Sequence, residues 1–444
     1  MEKVLRSLKG LVPTGLADAG RPAYHFGLAV LGELIYRFPG RQITVIGVTG
    51  TNGKSTSANL IAAVLAAGGH RVGLATTVNF KVGGRAWANQ TKMTSPGRFA
   101  TYKLLRQMVK AGDTHAVIEA SSHALHWHRV WGVPFQTAVF TNLSRDHLDL
   151  HRTMEAYRNT KGKLFQKLKP RHGKTVSVVN GDDPEAAYFL QFLADEKYVY
   201  GVKPETAEVM PLAQTVLADE IESGSTGSTF VARVDGTTIP VQVNIPGAFN
   251  VANALAAVCV GLAHGVALET IGRAIGAVPG VPGRMERVEA GQPFPVIVDY
   301  AHTPDAFDNV FSTLRAITPG RLISVFGATG DRDQGKRPEL GRIAAGYSDF
   351  MFLTEEDPAS EDPLAIISQI IPGIEAAGKT QQDYEIVPKR RTAINQALQL
   401  AKRDDTVVLL AKGHETVMTY ADGKKPWDDR TVVAEEWQKL AETS

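Results

Sequence analysis

The chain has 444 residues, of which 43% are apolar and 21% charged, a composition typical of globular proteins and not of wholesale disorder. Lys and Arg total 48 and Asp and Glu total 46, so the net charge is +2, which argues against nucleic-acid binding through a large basic surface. The one cysteine, Cys259, excludes an internal disulfide framework and a cysteine-based zinc site.

Neither a signal peptide nor a membrane-spanning helix is predicted from the sequence. Charged residues interrupt the first eleven positions, so a signal-peptide apolar core is missing. The uncharged stretches 22–32 and 251–268 are predicted as buried helices, because a spanning helix needs about 20 predominantly apolar residues. Together with the low cysteine content, this predicts a cytoplasmic protein.

The predicted elements alternate between strand and helix. Residues 1–40 are predicted to form a short helical segment, and the β-branched run Ile43–Val48 a buried strand. A glycine-rich turn and a helix over Ser55–Ala67 follow, and further strands are predicted at Ala116–Ile118 and Ala138–Phe140. This alternation indicates a parallel, doubly wound sheet.

The second half of the chain changes character twice. Residues 205–246 are rich in Thr, Val, Ser and Gly and predict a small antiparallel insert, followed by a helix over Asn250–His264. Two prolines and two glycines in residues 278–284 indicate a linker. Strands are then predicted at Val296–Val298, Arg321–Phe326, Phe350–Leu353 and Thr406–Leu410. We therefore predict domains over 41–280 and 284–444.

The turn after the first strand has the chemistry of a phosphate-binding loop and reads Thr49-Gly-Thr-Asn-Gly-Lys-Ser-Thr56. Backbone N–H groups of such a turn converge on phosphate oxygens at a helix N-terminus. Lys54 would neutralise the β- and γ-phosphates, and the Ser55 hydroxyl suits Mg²⁺. Val48 stands where the usual loop has its first glycine, and a ligand-free turn is the alternative. The predicted nucleotide-binding residues are Gly50, Thr51, Asn52, Gly53, Lys54, Ser55 and Thr56.

Further motifs follow in a fixed order. They are Glu119-Ala-Ser-Ser-His123 with Arg129, Thr141–Asp149, Tyr157–Phe165, Val179–Asp183, Gly247–Ala257, Gly283–Glu286, Asp299–Pro304, Phe326–Asp333, Lys336–Pro338 and Lys412–Glu415. With the loop, this series over about residues 41–435 resembles the Mur ligases, and specifically their MurE-type subgroup. The resemblance implies an α/β fold, in which a P-loop ATPase-type parallel sheet with a small antiparallel insert precedes a Rossmann-like C-terminal domain.

The resemblance also implies a reaction. MurE-type enzymes use ATP to add the third amino acid to UDP-N-acetylmuramoyl-L-alanyl-D-glutamate through an acyl phosphate. Only about 40 residues precede the loop strand, which predicts a reduced UDP-binding domain and weak recognition of uridine. Alternative acceptors are a lipid-linked precursor, a cyanophycin-type peptide or a folate polyglutamate, and residues 24–38 are a candidate contact with a membrane or partner. A non-catalytic nucleotide-binding regulator is the alternative from another class.

The same resemblance assigns roles to individual residues. Lys54, Glu119, His147 and Lys161 are the predicted catalytic residues, with a CO₂-derived carbamate on Lys161. Two Mg²⁺ ions are expected on Ser55, Glu119, His147 and the carbamate, because a carbamate is an oxygen donor and an ammonium is not. His123, His126, His128 and His151 are interpreted as loop and packing residues.

The remaining assignments concern ATP and the two other substrates. Asn253, Asp299, His302 and Arg332 are expected to reach ATP, the last three only when the C-terminal domain closes. Thr94, Ser95, Ser122 and Arg129 are expected to hold the muramoyl peptide. Diaminopimelate enzymes of the family carry Asp-Asn-Pro-Arg where this chain has Glu356-Asp-Pro-Ala359. Ala359 cannot pair with a distal carboxylate, whereas Glu356 and Asp357 favour an amine, to which Glu415 is a further candidate contributor. L-lysine is therefore predicted over meso-diaminopimelate.

Overall fold

The computed structural model describes residues 14–91, 93–95, 97–171, 173–209 and 213–443, which form α-helices and β-strands in alternation. The helices α1–α14 are Thr14–Ile35, Lys54–Ala67, Arg98–Lys110, Ser122–His126, Leu148–His151, Met154–Phe165, Ala186–Leu190, Ala248–Ala263, Leu268–Gly276, Pro304–Ile317, Arg337–Tyr347, Pro363–Ala376, Arg390–Leu400 and Asp429–Thr443. The strands β1–β11 are Thr44–Thr49, Val72–Ala75, Asn79–Val82, Arg85–Ala88, His115–Glu119, Thr137–Phe140, Val176–Asn180, Glu196–Gly201, Gln214–Gly224, Gly227–Val234 and Thr237–Val243. The strands β12–β19 are Glu286–Arg287, Val296–Val298, Leu322–Phe326, Phe350–Leu353, Tyr384–Ile386, Thr406–Leu409, Val417–Tyr420 and Gly423–Pro426.

The first sheet confirms the predicted fold class and contains antiparallel strands where the small insert was predicted. Its strand order is β11-β10-β9-β8-β7-β6-β1-β5-β2-β3-β4, and the strands from β9 to β2 pair in parallel. The antiparallel strands β9–β11 do not form a separate sheet, because β9 pairs in parallel with β8 and extends the same sheet. A second hairpin, β3–β4, completes the opposite edge and was not expected from the sequence.

Burial explains why the central strands have continuous apolar sequences. All six residues of β1 are buried, as a parallel strand covered by helices on both faces requires. One face packs against α2 and the uncharged helix α8, and the other against α3 and α6. The register places Val48 of β1 opposite Glu119 of β5 and Thr49 opposite Phe140 of β6. The polar segments that follow these strands therefore meet at one edge.

The second sheet has the strand order β12-β13-β17-β14-β15-β16, parallel except at β12, with the hairpin β18–β19 beside it. The segments that begin at Asp299, Gly327, Thr354 and Leu410 follow the carboxyl ends of its parallel strands. Ligands collect at such ends. The exact domain bounds 1–40, 41–280 and 284–444 stay a prediction.

The N-terminal helix α1 packs only part of its surface on the body. Ala29 and Glu33 are buried, whereas five large apolar side chains are exposed, namely Tyr24, Phe26, Leu31, Leu34 and Ile35. Residues 1–13 of the predicted helical segment lie outside the described residues. Among the helices that the structure describes, none is long and apolar enough to cross a membrane.

Candidate active site

The phosphate loop is held by the segment that follows β6. The backbone N–H of Thr51 donates to the carbonyl of Asn142 at 2.8 Å, and the N–H of Asn52 donates to Oδ1 of Asn142 at 2.8 Å. Gly53 has a φ of 78°, and a Cβ there would lie 2.2 Å from Oδ1 of Asn253. Glycine is therefore required at position 53 by both conformation and space.

Lys54 begins helix α2 and lies in the cavity. Its Nζ donates to the Thr51 carbonyl at 2.6 Å and lies 4.0 Å from Oε1 of Glu119. Burial lowers the pKa of Lys54, and the neighbouring Glu119 opposes that effect. Its partners in this structure are one carbonyl and one distant carboxylate, so the cation is available to neutralise phosphate charge.

Glu119 ends strand β5 and is 2% exposed. Its Oε2 accepts from the Ser55 hydroxyl and from the backbone N–H of Thr77, both at 2.8 Å, and its Oε1 accepts from the Thr77 hydroxyl at 3.0 Å. A carboxylate fixed next to the serine of a phosphate loop is a suitable oxygen donor for Mg²⁺.

His147 lines the same cavity as Glu119 and has a backbone φ of 55°. Its Nε2 lies 3.2 Å from Oδ2 of Asp146, and its ring meets the ring of His123 edge-on at 4.6 Å. Burial lowers the pKa of His147 to about 3, partly opposed by Asp146. The neutral imidazole that results is the form in which histidine ligates a metal.

Lys161 is 1% exposed on helix α6. Its Nζ donates to the Gly50 carbonyl at 2.6 Å and lies 4.2 Å from the centroid of the Tyr157 ring. Burial, with Lys54 nearby, lowers the pKa of Lys161 well below its usual range. The side chain is therefore biased toward the neutral amine, which is the form that reacts with CO₂.

The charged and polar groups that the C-terminal domain contributes to the same cavity include Arg284, Asp299, His302 and Arg332. Asp299 is engaged by its own loop, since it accepts backbone N–H groups of Met285 and Ala301 at 2.6 Å each. The Nδ1 of His302 donates to the Tyr300 carbonyl at 2.8 Å, and burial lowers the pKa of this ring to about 4, so the ring is neutral and its Nε2 carries no proton. The predicted adenine contact, Asn253, also lines the cavity.

The groups expected to hold the muramoyl peptide are only partly brought together. Thr94 and Arg129 line the cavity, and Arg129 donates to the Ser95 carbonyl at 3.0 Å. Ser95 itself faces inward and donates to the Glu119 carbonyl at 2.9 Å. Ser122 is buried outside the cavity and its hydroxyl has no hydrogen-bond partner among the described residues. Its neighbour Ser121 lines the cavity, so we propose Ser121 in place of Ser122.

The predicted amino-acid loop forms a separate acidic cluster of Glu356, Asp357 and Glu415. The buried Lys412 lies inside it, and its Nζ lies 2.9 Å from Asp357 and 2.6 Å from Glu415. Ala359 adopts a φ of 54°, and its N–H donates to the Thr419 carbonyl at 3.1 Å. A substrate amine that bound to this cluster would therefore share it with the ammonium of Lys412.

The cavity at the strand ends has a volume of about 360 Å³ and is lined by both domains. Beyond the predicted residues, its lining includes Thr77, Asn142, Asp146, Arg284 and Asp305. Asn142, Asp146 and Arg284 lie inside motifs that the sequence displays, so those motifs could have identified them. Thr77 follows the unpredicted strand β2, and no motif signals it.

The donor set fits a magnesium ion. The Ser55 hydroxyl and the Glu119 carboxylate come together beside Lys54, and the neutral His147 ring lines the same cavity. Oxygen donors next to a phosphate-binding lysine are the setting in which Mg²⁺ binds with nucleotide phosphates. The arrangement is chemically suited to phosphoryl transfer that uses ATP and magnesium.

Two family models match the chain in consecutive segments. Residues 48–261 match the Mur ligase middle domain, and residues 283–413 match the Mur ligase glutamate ligase domain. The chain is 42% identical over 433 residues to a UDP-N-acetylmuramyl-tripeptide synthetase of Roseiflexus sp. (strain RS-1), which covers 95% of this chain and 83% of the relative. The chain belongs to the Mur ligase family, whose members are ATP-dependent amide-bond ligases, and the resemblance seen in the sequence is confirmed.

Other similar proteins agree on the family and the fold. A UDP-N-acetylmuramoyl-L-alanyl-D-glutamate–2,6-diaminopimelate ligase of Geobacillus thermodenitrificans (strain NG80-2) is 39% identical, over 96% of this chain and 84% of that protein. A solved structure of a ligase with the same description is 30% identical with a TM-score of 0.61, over 92% of this chain and 82% of the other. The folylpolyglutamate synthase of Mycobacterium tuberculosis, at 18% identity and a TM-score of 0.68 over 93% and 94%, shares the fold.

Proposed function

We propose that this ligase uses ATP to add an amino acid to UDP-N-acetylmuramoyl-L-alanyl-D-glutamate. The observation that carries the proposal is one cavity in which Lys54 and Arg284 lie beside Glu119 and His147. The two cationic side chains suit the charge of a triphosphate and of a reacting carboxylate, and Glu119 and His147 suit a metal ion between them. The named acceptor rests on relatives 38–42% identical to this chain whose names contain it or its tripeptide product.

The chemistry requires an activated carboxylate, because amide formation from a free carboxylate is uphill in water. A carboxylate oxygen of the acceptor attacks the γ-phosphorus, the bond from that phosphorus to the β–γ bridging oxygen breaks, and ADP leaves. The amine then attacks the acyl phosphate, and inorganic phosphate and a proton leave. Lys54 and Arg284 neutralise the phosphate charge that these steps concentrate, which is the main requirement of phosphoryl transfer.

We further propose that Ser55, Glu119, His147 and a carbamate on Lys161 hold two magnesium ions. Bound Mg²⁺ would supply charge neutralisation between the phosphates and the acceptor carboxylate. The buried, neutral-biased amine of Lys161 supports the carbamate, because its reaction with CO₂ needs an unprotonated nitrogen. That reaction gives a carbamate and releases one proton.

The amino acid is proposed to be L-lysine, bound by the acidic cluster of Glu356, Asp357 and Glu415. The oxygens of the three carboxylates lie within 4.8 Å of one another, and this concentration of acidic groups supports recognition of a substrate amine. Ala359 offers no partner for a distal carboxylate. The second candidate is meso-diaminopimelate, which is favoured by the names of relatives 38–40% identical to the chain.

Two smaller proposals concern the acceptor and the surface. Ser121, Thr94 and Arg129 are proposed to hold the muramoyl peptide, and acceptors without UDP are alternatives to the UDP-linked one.

The exposed apolar side chains within residues 24–38 are proposed to contact a membrane surface, which co-sedimentation of the chain with phospholipid vesicles tests. Substitution of Leu31 and Leu34 by Gln should abolish sedimentation, and persistent sedimentation would contradict the contact.

The experiment that tests the function is a competition assay. The enzyme receives ATP, Mg²⁺, UDP-linked and UDP-free muramoyl dipeptide, and equal L-lysine and meso-diaminopimelate, and the products are separated by mass spectrometry. Tripeptide formation that stops in Glu119→Gln supports the proposed reaction. Phosphate release without any ligated product from either acceptor would contradict it.

A further inference from the structure

Thr77 donates hydrogen bonds to both carboxylate oxygens of Glu119. Strands β2 and β5 are neighbours with Ala75 opposite Ile118, so the segment after β2 lies beside Glu119. The backbone N–H of Thr77 donates to Oε2 at 2.8 Å and its hydroxyl to Oε1 at 3.0 Å. The third donor, Ser55, is itself a predicted magnesium ligand. When the Ser55 oxygen faces a metal, the two Thr77 donors still define the direction of the carboxylate.

The other side of Thr77 contacts the C-terminal domain. The Nε2 of His414 lies 3.1 Å from the Thr77 carbonyl oxygen. Since a carbonyl only accepts, Nε2 must carry the ring proton. His414 follows strand β17 and is 8% exposed, so the contact is buried. Thr77 thus joins the two domains at the back of Glu119.

The surroundings of His414 keep its ring neutral, so that Nε2 is the nitrogen that donates. Burial lowers the pKa of His414 to about 3, and the cations Arg284, Arg430 and Lys412 act in the same direction. The ring is therefore neutral at physiological pH, and Nδ1 is buried without a hydrogen-bond partner among the described residues. A neutral imidazole carries one N–H group. In His414 this group is on Nε2, and it donates a hydrogen bond to the Thr77 carbonyl.

We propose that Thr77 is a positioning residue that couples docking of the C-terminal domain, through His414, to the orientation of the Glu119 carboxylate. The inference rests on the role of Glu119 as a magnesium ligand under the proposed function. When His414 donates to its carbonyl, the backbone of Thr77 is held at the angle at which its N–H and hydroxyl both reach Glu119. An open enzyme loses the His414 contact and therefore binds the metal less tightly.

The test is a titration of the full-length enzyme with Mn²⁺ in the presence of ADP, followed by electron paramagnetic resonance. Thr77→Val keeps the shape and removes the hydroxyl, and a lost hydrogen bond to a charged group should weaken Mn²⁺ binding about tenfold. Thr77→Ser is the matched control and should bind like the wild type. His414→Phe should also weaken binding several-fold, whereas His414→Gln, which retains a donor, should restore it.

The double variant decides whether the two residues act together. If both residues act on Glu119 through the same contacts, their effects are not independent. The fold loss of Mn²⁺ affinity in the double variant Thr77→Val/His414→Phe should then be clearly smaller than the product of the fold losses in the two single variants. Wild-type Mn²⁺ affinity in His414→Phe, or fully multiplicative losses, would overturn the coupling. If Thr77→Val does not fold, as judged by circular dichroism, the two His414 variants decide alone. Unchanged binding in Glu119→Gln would overturn the metal assignment itself, and the coupling with it.

Discussion

The Nζ of Lys412 lies 2.9 Å from Oδ1 of Asp357. The sequence predicts that this carboxylate recognises a substrate amine, but in the structure it already forms an ion pair with a lysine of the chain. The surrounding acidic groups raise the pKa of Lys412, so it stays charged. Under the lysine proposal, selectivity then depends on the acidic cluster and on Ala359, so a substitution of Ala359 tests it.

Ala359→Arg should shift the enzyme toward meso-diaminopimelate. A guanidinium at this position would give a distal carboxylate a bidentate partner, and such hydrogen bonds contribute about 1.5–3 kcal/mol. The ratio of kcat/KM for the two amino acids in direct competition measures the shift. Ala359→Met has similar reach without charge and should leave the ratio unchanged. A wild type that already prefers diaminopimelate would contradict the lysine proposal.

Lys161→Ala should abolish ligation because it removes the nitrogen that would carry the carbamate. Formate or acetate should restore part of the activity by occupying the vacated anion position. Lys163→Ala, on the same helix, is the control and should stay active. Nuclear magnetic resonance of wild-type enzyme incubated with ¹³C-bicarbonate should show a carbamate signal that Lys161→Ala lacks. Full activity of Lys161→Ala without added acid would exclude the carbamate.

Asp305→Ala should raise the KM for ATP. The Asn52 side chain of the phosphate loop donates to Oδ2 of Asp305 in the other domain at 2.6 Å, and its loss should disfavour the closed arrangement. One such hydrogen bond contributes about 1 kcal/mol, so a roughly fivefold increase is expected. Asp308→Ala, one turn further along the helix, is the control. A lower KM would show that Asp305 repels the nucleotide instead.

Glu33→Gln should stabilise the enzyme at pH 8 and have little effect at pH 5. Glu33 is fully buried and neither carboxylate oxygen has a partner among the described residues. Burial raises its pKa from 4.5 to about 7, partly opposed by Arg41. The folded state therefore binds more protons than the unfolded state between these values, and stability falls as the pH rises through that window. Melting temperatures of both proteins at the two pH values measure the difference. An equal shift at both pH values would contradict the burial of a charge.

The amino-acid sequence by itself determined the fold class, the family and the phosphate loop. These depend on local information, because a β-branched strand, a Gly-Lys-Ser turn and a helix must follow one another in the chain. The sequence also led to Lys54, Ser55, Glu119 and His147 as candidate site residues, because each lies in a motif at or after the carboxyl end of a strand, and the structure places all four in one cavity. Parallel strands then bring such residues to one edge.

Only the tertiary structure decided which side chains meet across strands and domains. Strand β2 is four residues long, and its short sequence gave no reason to place Thr77 beside Glu119. Ser121 and Ser122 are adjacent in the same motif, and only the direction of the helix start shows that Ser121 faces the cavity. The pairing of Lys412 with Asp357 joins residues 55 positions apart. The residue type and its motif determine which chemistry a side chain is capable of. Its burial and its charged neighbours determine its protonation state and contacts, and these arise only when distant segments pack together.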